Sequence, residues 1–182
     1  MRHSGDMDHL TVLDAGFLQA EDSDPNVSLA IGAITVLDGP PPDFGELVAT
    51  LTGRLQQVPR LRQVLRTHRL DLGPPEFEER PGLDLSAQIK HAALPAPGAD
   101  ADLFRLAAGI IERRLDRAHP LWECWVIEGL RDERWAILMK VHHCLADGVS
   151  TARMFATMSD SGSAATTFAD IGGTPDRTGT PP

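Results

Sequence analysis

Residues 134–155 read RWAILMKVHHCLADGVSTARMF. An apolar run from Trp135 to Val141 ends in two adjacent histidines, His142 and His143; a short link then leads to Asp147-Gly148 and a segment that can be helical. The pattern predicts a strand that carries an imidazole to its own end and a tight turn that fixes it there. Side chains on a regular strand alternate faces. Trp135, Ile137, Met139, Val141 and His143 therefore share one face, and Ala136, Leu138, Lys140 and His142 the other. Adjacent histidines diverge, and Asp147 is the one further ligand at useful spacing, so no metal site is expected. An imidazole with a reference pKa near 6.5 is mostly neutral around pH 7.5 and can take a proton from a hydroxyl as that hydroxyl attacks. Gly148 allows a turn closed to other residues, and the Asp147 carboxylate can lock it through backbone N–H groups or an arginine. From the residues alone, a buried histidine pair beside an ordinary Asp-Gly turn has about equal standing.

Working outward, Leu121–Gly129 (LWECWVIEG) is a second strand, joined to the first by the polar link LRDER. Both are nearly continuous in apolar character and belong at the centre of a sheet. Val27–Gly39 is rich in β-branched residues and reads as a further, largely buried strand. Leu61–His68 reads as an edge strand, and Leu83–Leu94 as a short strand or a surface loop. Two helices are predicted. In one, Asp43 caps and Glu46 stands three residues on, with Leu47, Val48, Leu51 and Leu55 at helical spacing up to Pro59. In the other, Asp100 or Asp102 caps a stripe of Leu103, Leu106, Ala107, Ile110, Ile111 and Leu115. Leu10–Leu18 is a strand-turn or a helical turn, and Glu21–Asn26 (EDSDPN) a break. Residues 1–9 are expected to be loose, 10–158 to form one α/β (α+β) domain with a mixed sheet flanked by helices, and 159–182 a disordered tail or linker.

Composition narrows the function. The chain has 182 residues and a formal charge of -9, from 17 Lys+Arg against 26 Asp+Glu. A nucleic-acid surface needs the opposite balance on at least one face. Cys124 and Cys144 both lie in apolar segments, which argues against a disulfide framework. The acidic start MRHSGDMDHL has no apolar core of a signal peptide, and no run approaches a membrane span. A cytoplasmic protein is expected, with peripheral contact to a membrane or lipid droplets left open.

HHCLADG, His142 to Gly148, matches the HHxxxDG motif of CoA-dependent acyltransferases and peptide-synthetase condensation domains. With LDAGFL (13–18), DLSAQIKHAALPAPG (84–98), PLWECWVIEGL (120–130) and AILMKVHHCLADGVS (136–150), the chain resembles the bacterial wax ester synthase/diacylglycerol acyltransferase family over residues 8–158. The resemblance implies a chloramphenicol-acetyltransferase-like half-domain and transfer of a fatty acyl group from acyl-CoA, as co-substrate, to a long-chain alcohol or diacylglycerol. It implies His143 as general base, His142 in support, Asp147 as a structural residue that pairs with an arginine, and Gly148 in the turn. No bound cofactor is implied.

Two departures stand out. Family members carry Arg directly before Pro-Leu-Trp, where this chain has His119, so Asp147 has either lost that partner or turns to Arg117 or Arg153. Family members also have two related halves with the active site between them, and this chain covers the first. A C-terminal half on another chain, self-association, or an inactive fragment that binds lipid or acyl-CoA without chemistry are the alternatives. Cys144 beside His143 raises thiol catalysis, although neighbours on a strand point apart. Trp122, Trp125 and Trp135 could line an acyl channel, but Trp122 and Trp125 fall on opposite faces of their strand, so at most one looks at substrate and core packing suits the others. His68 and His91 suit the surface.

Overall fold

The computed structural model describes residues 10, 12–66 and 75–145. Asp147, Gly148 and Arg153, the helix expected after Cys144, the tail from 159, His68 and the N-terminal segment lie outside the described residues.

Helices α1 (Val12–Ser23), α2 (Phe44–Leu55) and α3 (Asp100–Glu112) surround strands β1 (Ala30–Asp38), β2 (Gln63–Arg66), β3 (Glu76–Glu79), β4 (Ile89–Ala93), β5 (Trp122–Leu130) and β6 (Arg134–His142). The main sheet has the order β1-β6-β5-β4, and β2-β3 form a separate ribbon. β5 and β6 are an antiparallel hairpin at the sheet's centre, β1 pairs antiparallel with β6, and β4 runs parallel to β5, so the sheet is mixed.

Both faces of the hairpin are covered, which is why its sequence is apolar almost throughout. On one face Trp122, Cys124, Val126, Trp135, Met139 and Val141 pack with α1, α2 and the β2-β3 ribbon through Leu18, Leu51, Leu55, Leu65 and Phe77. On the other, Ile127, Ala136 and Leu138 pack against Leu103, Ala107 and Ile110 of α3. Trp122 is core, its Nε1 donating to the Leu61 carbonyl at 2.8 Å, and Trp135 packs in the same cluster. Trp125 lies against the α3 side, so Trp122 and Trp125 do face opposite ways.

The caps follow the local chemistry. Asp43 Oδ1 accepts the Glu46 N–H at 3.1 Å at the start of α2. At α3 neither aspartate is the cap itself: Ala99 is, and Asp102 reaches back to its N–H at 3.2 Å. α3 stops at Glu112, and Leu115 packs in the opposite core.

Four expectations are corrected. Glu21, Asp22 and Ser23 belong to α1; the break comes at Asp24, whose Oδ1 accepts the Asn26 N–H at 2.9 Å. The strand read over Val27–Gly39 is an edge strand with β6 on one side, so it is far from buried, Val36 being 43% exposed. The edge strand read over Leu61–His68 begins only at Gln63, because Pro59–Arg62 form a 3₁₀ turn; it is an edge strand of the small ribbon, paired with β3 and flanked by the Arg62–Glu79 and Arg66–Glu78 pairs. β6 ends at His142, and His143–Leu145 form a 3₁₀ turn, so His143 leaves the alternation of the strand.

Lys140 points away from His143, toward α3. Its buried Nζ donates to Ile110 O at 2.7 Å and to Arg113 O, closing carbonyls that the helix end leaves open. Burial pushes its pKa down, partly offset by Glu123 and Glu21. Among the described residues, no helix is long and apolar enough to cross a membrane.

The connector Pro95–Gly98 passes so close to the hairpin that Gly98 O accepts the Arg131 N–H at 2.9 Å. Gly98 has φ +66°, and a β-carbon there would come within 1.8 Å of the Gly129 carbonyl oxygen. Gly98→Ala should therefore destabilise the chain by roughly 2–4 kcal/mol. Gly109, inside α3 with nothing within 4 Å of such a carbon, is the contrast. Gly109→Ala should stabilise by about 1 kcal/mol. Urea denaturation midpoints of the two variants should move in opposite directions.

Candidate active site

The two histidines at the end of β6 have different surroundings. His142 is 1% exposed, whereas His143 is half-buried. His142 N–H donates to Leu121 O at 2.9 Å and His143 N–H to Leu29 O at 2.8 Å, so the strand end is tied to the segments that lead into β5 and β1. The His143 ring lies against Phe17 of α1, with centroids 4.2 Å apart and planes at 41°. Its Nδ1 is buried and, among the described residues, has no hydrogen-bond partner.

His142 is held by a group that the sequence reading passed over. Glu21 Oε2 stands 3.4 Å from His142 Nε2, a charge–dipole contact rather than an aligned hydrogen bond. Glu21 is 2% exposed, accepts the Leu29 N–H at 2.8 Å and pairs with Arg117 Nη2 at 3.3 Å. Burial alone would raise its pKa; the Leu29 N–H, His142 and Arg117 outweigh that and hold the carboxyl below its ordinary value. Burial pushes His142 below the ordinary imidazole range, against the opposing pull of Glu21. Asp14, Phe17, Leu18 and Glu21 fall at helical spacing on one face of α1. That face was the available signal, hidden by reading Glu21-Asp22-Ser23 as a break.

Arg117, one of the two alternatives named for Asp147, is engaged with α1: besides Glu21 it pairs with Asp22 at 2.8 Å and donates to Leu18 O at 3.2 Å. His119 is exposed, its Nδ1 3.0 Å from Asp116 Oδ2. His91 is also at the surface, its Nε2 3.1 Å from Glu128 Oε1.

Cys144 does meet an imidazole, but that of His142. Because the strand has ended, the 3₁₀ turn brings Sγ to 2.9 Å from His142 Nδ1. The thiol is 3% exposed, and burial pushes its pKa up to about 12, so it is no nucleophile near neutral pH. Among the described residues, no group of three or more His, Cys, Asp or Glu could hold a metal ion. A cleft of about 380 Å³ lies between the end of α2 and β3, lined by Arg62, Glu79, Arg80, Pro81 and Leu83 among others; neither histidine lines it.

What the arrangement can do is present one imidazole at the edge of the core while its neighbour is locked inside. Residues 10–181 match the wax ester synthase/diacylglycerol acyltransferase catalytic domain. A probable diacylglycerol O-acyltransferase of Mycobacterium tuberculosis is 51% identical over 154 residues, which make up 85% of this chain and 33% of that protein. The solved wax ester synthase/diacylglycerol acyltransferase from Marinobacter aquaeolei VT8 superposes with a TM-score of 0.63 at 32% identity, over 81% of this chain and 37% of that one. The first condensation domain of the calcium-dependent antibiotic synthetase superposes with a TM-score of 0.67 at 19% identity, over 85% of this chain and 38% of that one, a likeness of fold. The chain thus spans about a third of the length of the mycobacterial relative.

The Glu21–His142 pair has a pH signature. Both groups have folded pKa values below their unfolded ones, so the unfolded chain binds more protons as pH falls. The stability they supply is fully present above about pH 6.5, the unfolded imidazole value, and is lost below it, first through His142 and then, below about pH 4.5, through Glu21. Glu21→Gln should cost about 1–3 kcal/mol at pH 7.5 and flatten the lower limb. His142→Asn should flatten the upper limb. Urea midpoints measured from pH 7.5 to 4 check both slopes.

Proposed function

The chain belongs to the wax ester synthase/diacylglycerol acyltransferase family, and from that premise we propose that it supplies the histidine-bearing part of an O-acyltransferase. The reaction is transfer of a long-chain fatty acyl group from acyl-CoA to diacylglycerol or a long-chain alcohol, giving triacylglycerol or wax ester. His143 is the general base. Its Nε2 takes the proton of the acceptor hydroxyl while that oxygen attacks the thioester carbonyl. The tetrahedral oxyanion collapses, the carbon–sulfur bond breaks, and the CoA thiolate leaves and takes the proton back from the imidazolium. His142 supports the base, Asp147 locks the following turn, and Gly148 lets it close.

The observation that carries this reading is the unequal burial of the two rings: His142 is sealed in the core, and His143 stands half-buried at the strand's end. A base must reach the proton it removes, and His143 is the ring of the two with an open side. Because the chain spans about a third of the relative's length, the reading includes a C-terminal half that forms the opposite wall. Such a wall excludes water and aims dipoles at the developing charge. The lipid acceptor places the work at a membrane or lipid-droplet surface on the cytoplasmic side.

A second reading follows from the same partial coverage: a module that binds lipid or acyl-CoA without chemistry. Esterification of hexadecanol or diacylglycerol by a long-chain acyl-CoA separates the two. With the C-terminal half supplied, His143→Ala should lower the rate by about 10²–10⁴-fold. No product from well-folded protein under those conditions would sink the acyltransferase reading. Acyl-CoA binding that is indifferent to His143→Ala, in the absence of turnover, would support the binding module.

A further inference from the structure

We infer that His142 is the cap of the turn that carries His143, and that Glu21 holds its ring in the one tautomer able to cap. Both are positioning residues for the proposed base, and the assignment of a role in turnover rests on that reading of His143.

β6 ends at His142, and the 3₁₀ turn His143–Leu145 begins with N–H groups that no helix carbonyl satisfies. His143 N–H goes to Leu29 O at 2.8 Å. Cys144 N–H goes to His142 Nδ1 at 3.2 Å, from a backbone donor two residues on to a side-chain acceptor. Asn and Asp close turns with this spacing. The Cys144 thiol lies 2.9 Å from the same nitrogen and, with its pKa pushed up to about 12 by burial, keeps its proton and can donate.

A ring nitrogen that receives donors must offer its lone pair, so Nδ1 carries no proton. The proton of the neutral ring is therefore on Nε2, which faces the Glu21 carboxylate at 3.4 Å. The tautomer is specified from both sides: a lone pair toward the turn, and the positive end of the N–H dipole toward the carboxylate. Protonation at Nδ1 would set a donor against the Cys144 N–H and release the turn. One helical turn before Glu21, Phe17 lies against the His143 ring, so a single face of α1 orders both imidazoles. The adjacent histidines thus have different roles, since the first builds the turn and the second is presented by it.

Two measurements test this. Long-range ¹H–¹⁵N correlation of the His142 ring in the whole chain at pH 7.5 should show Nε2–H with Nδ1 as acceptor, and Glu21→Gln should introduce the Nδ1–H form. An Nδ1–H or doubly protonated ring in the unmodified chain would overturn the inference. In the esterification assay with the C-terminal half supplied, His142→Ala should lower kcat about 100-fold with KM for acyl-CoA within about twofold, the effect of a misplaced reacting group. His142→Asn keeps an acceptor for the Cys144 N–H and should stay within about tenfold of the unmodified kcat. Asparagine no better than alanine, in well-folded protein, would also overturn the inference. Full activity in His143→Ala would instead remove the base reading, and the ring spectrum would still decide the cap.

Discussion

A single buried carboxylate ties together the parts of this fold that approach the end of β6. Glu21 is 2% exposed, yet its oxygens meet the Leu29 N–H at the approach to β1, Arg117 in the segment after α3, and the His142 ring at the end of β6. An ionised group taken out of water costs several kcal/mol unless its surroundings replace the lost hydration. Three partners from three parts of the chain do so here. The consequence is geometric as much as energetic: α1 cannot leave the strand end without exposing or orphaning the charge.

The opposite side of β6 repeats the device with the charges reversed. Lys140 is buried and directs its ammonium to Ile110 O and Arg113 O, where the end of α3 concentrates negative charge. Ser28 Oγ adds a donor to Ile111 O at 3.0 Å. Apolar layers on the two faces of the hairpin supply most of the cohesion, but they do not specify how far a helix has slid along the sheet. These polar contacts do, because each is satisfied in one register.

Glu21, His142 and Cys144 form a carboxylate–imidazole–thiol line that in an open cleft would suggest a nucleophile. Burial reverses that meaning. A thiol with its pKa pushed to about 12 is a hydrogen-bond donor, and a buried neutral imidazole is an acceptor for it. The same sealing that removes nucleophilic chemistry gives the line the rigidity to place its neighbour, His143.

Periodicity and local chemistry alone made much of this legible. Leu121–Gly129 and Arg134–His143 read as central strands because both faces are apolar, and β5 and β6 match them to within a residue; Asp43 read as a cap because its spacing to Glu46 leaves one acceptor for one donor, and the HHxxxDG heptad with its companion blocks pointed to the family. The edge position of β1 was not legible, since β-branched residues record a strand but not how many neighbours it has. Neither was Glu21: a charged residue at the end of a short helix looks like solvent-facing punctuation until the fold brings Leu29, Arg117 and His142 around it. The sequence by itself determined which segments are strands and helices and which motif they carry, because those depend on neighbours within a few residues. Only the tertiary structure decided which histidine is sealed and which is presented, because that depends on a helix more than a hundred residues away folding back over the end of the strand.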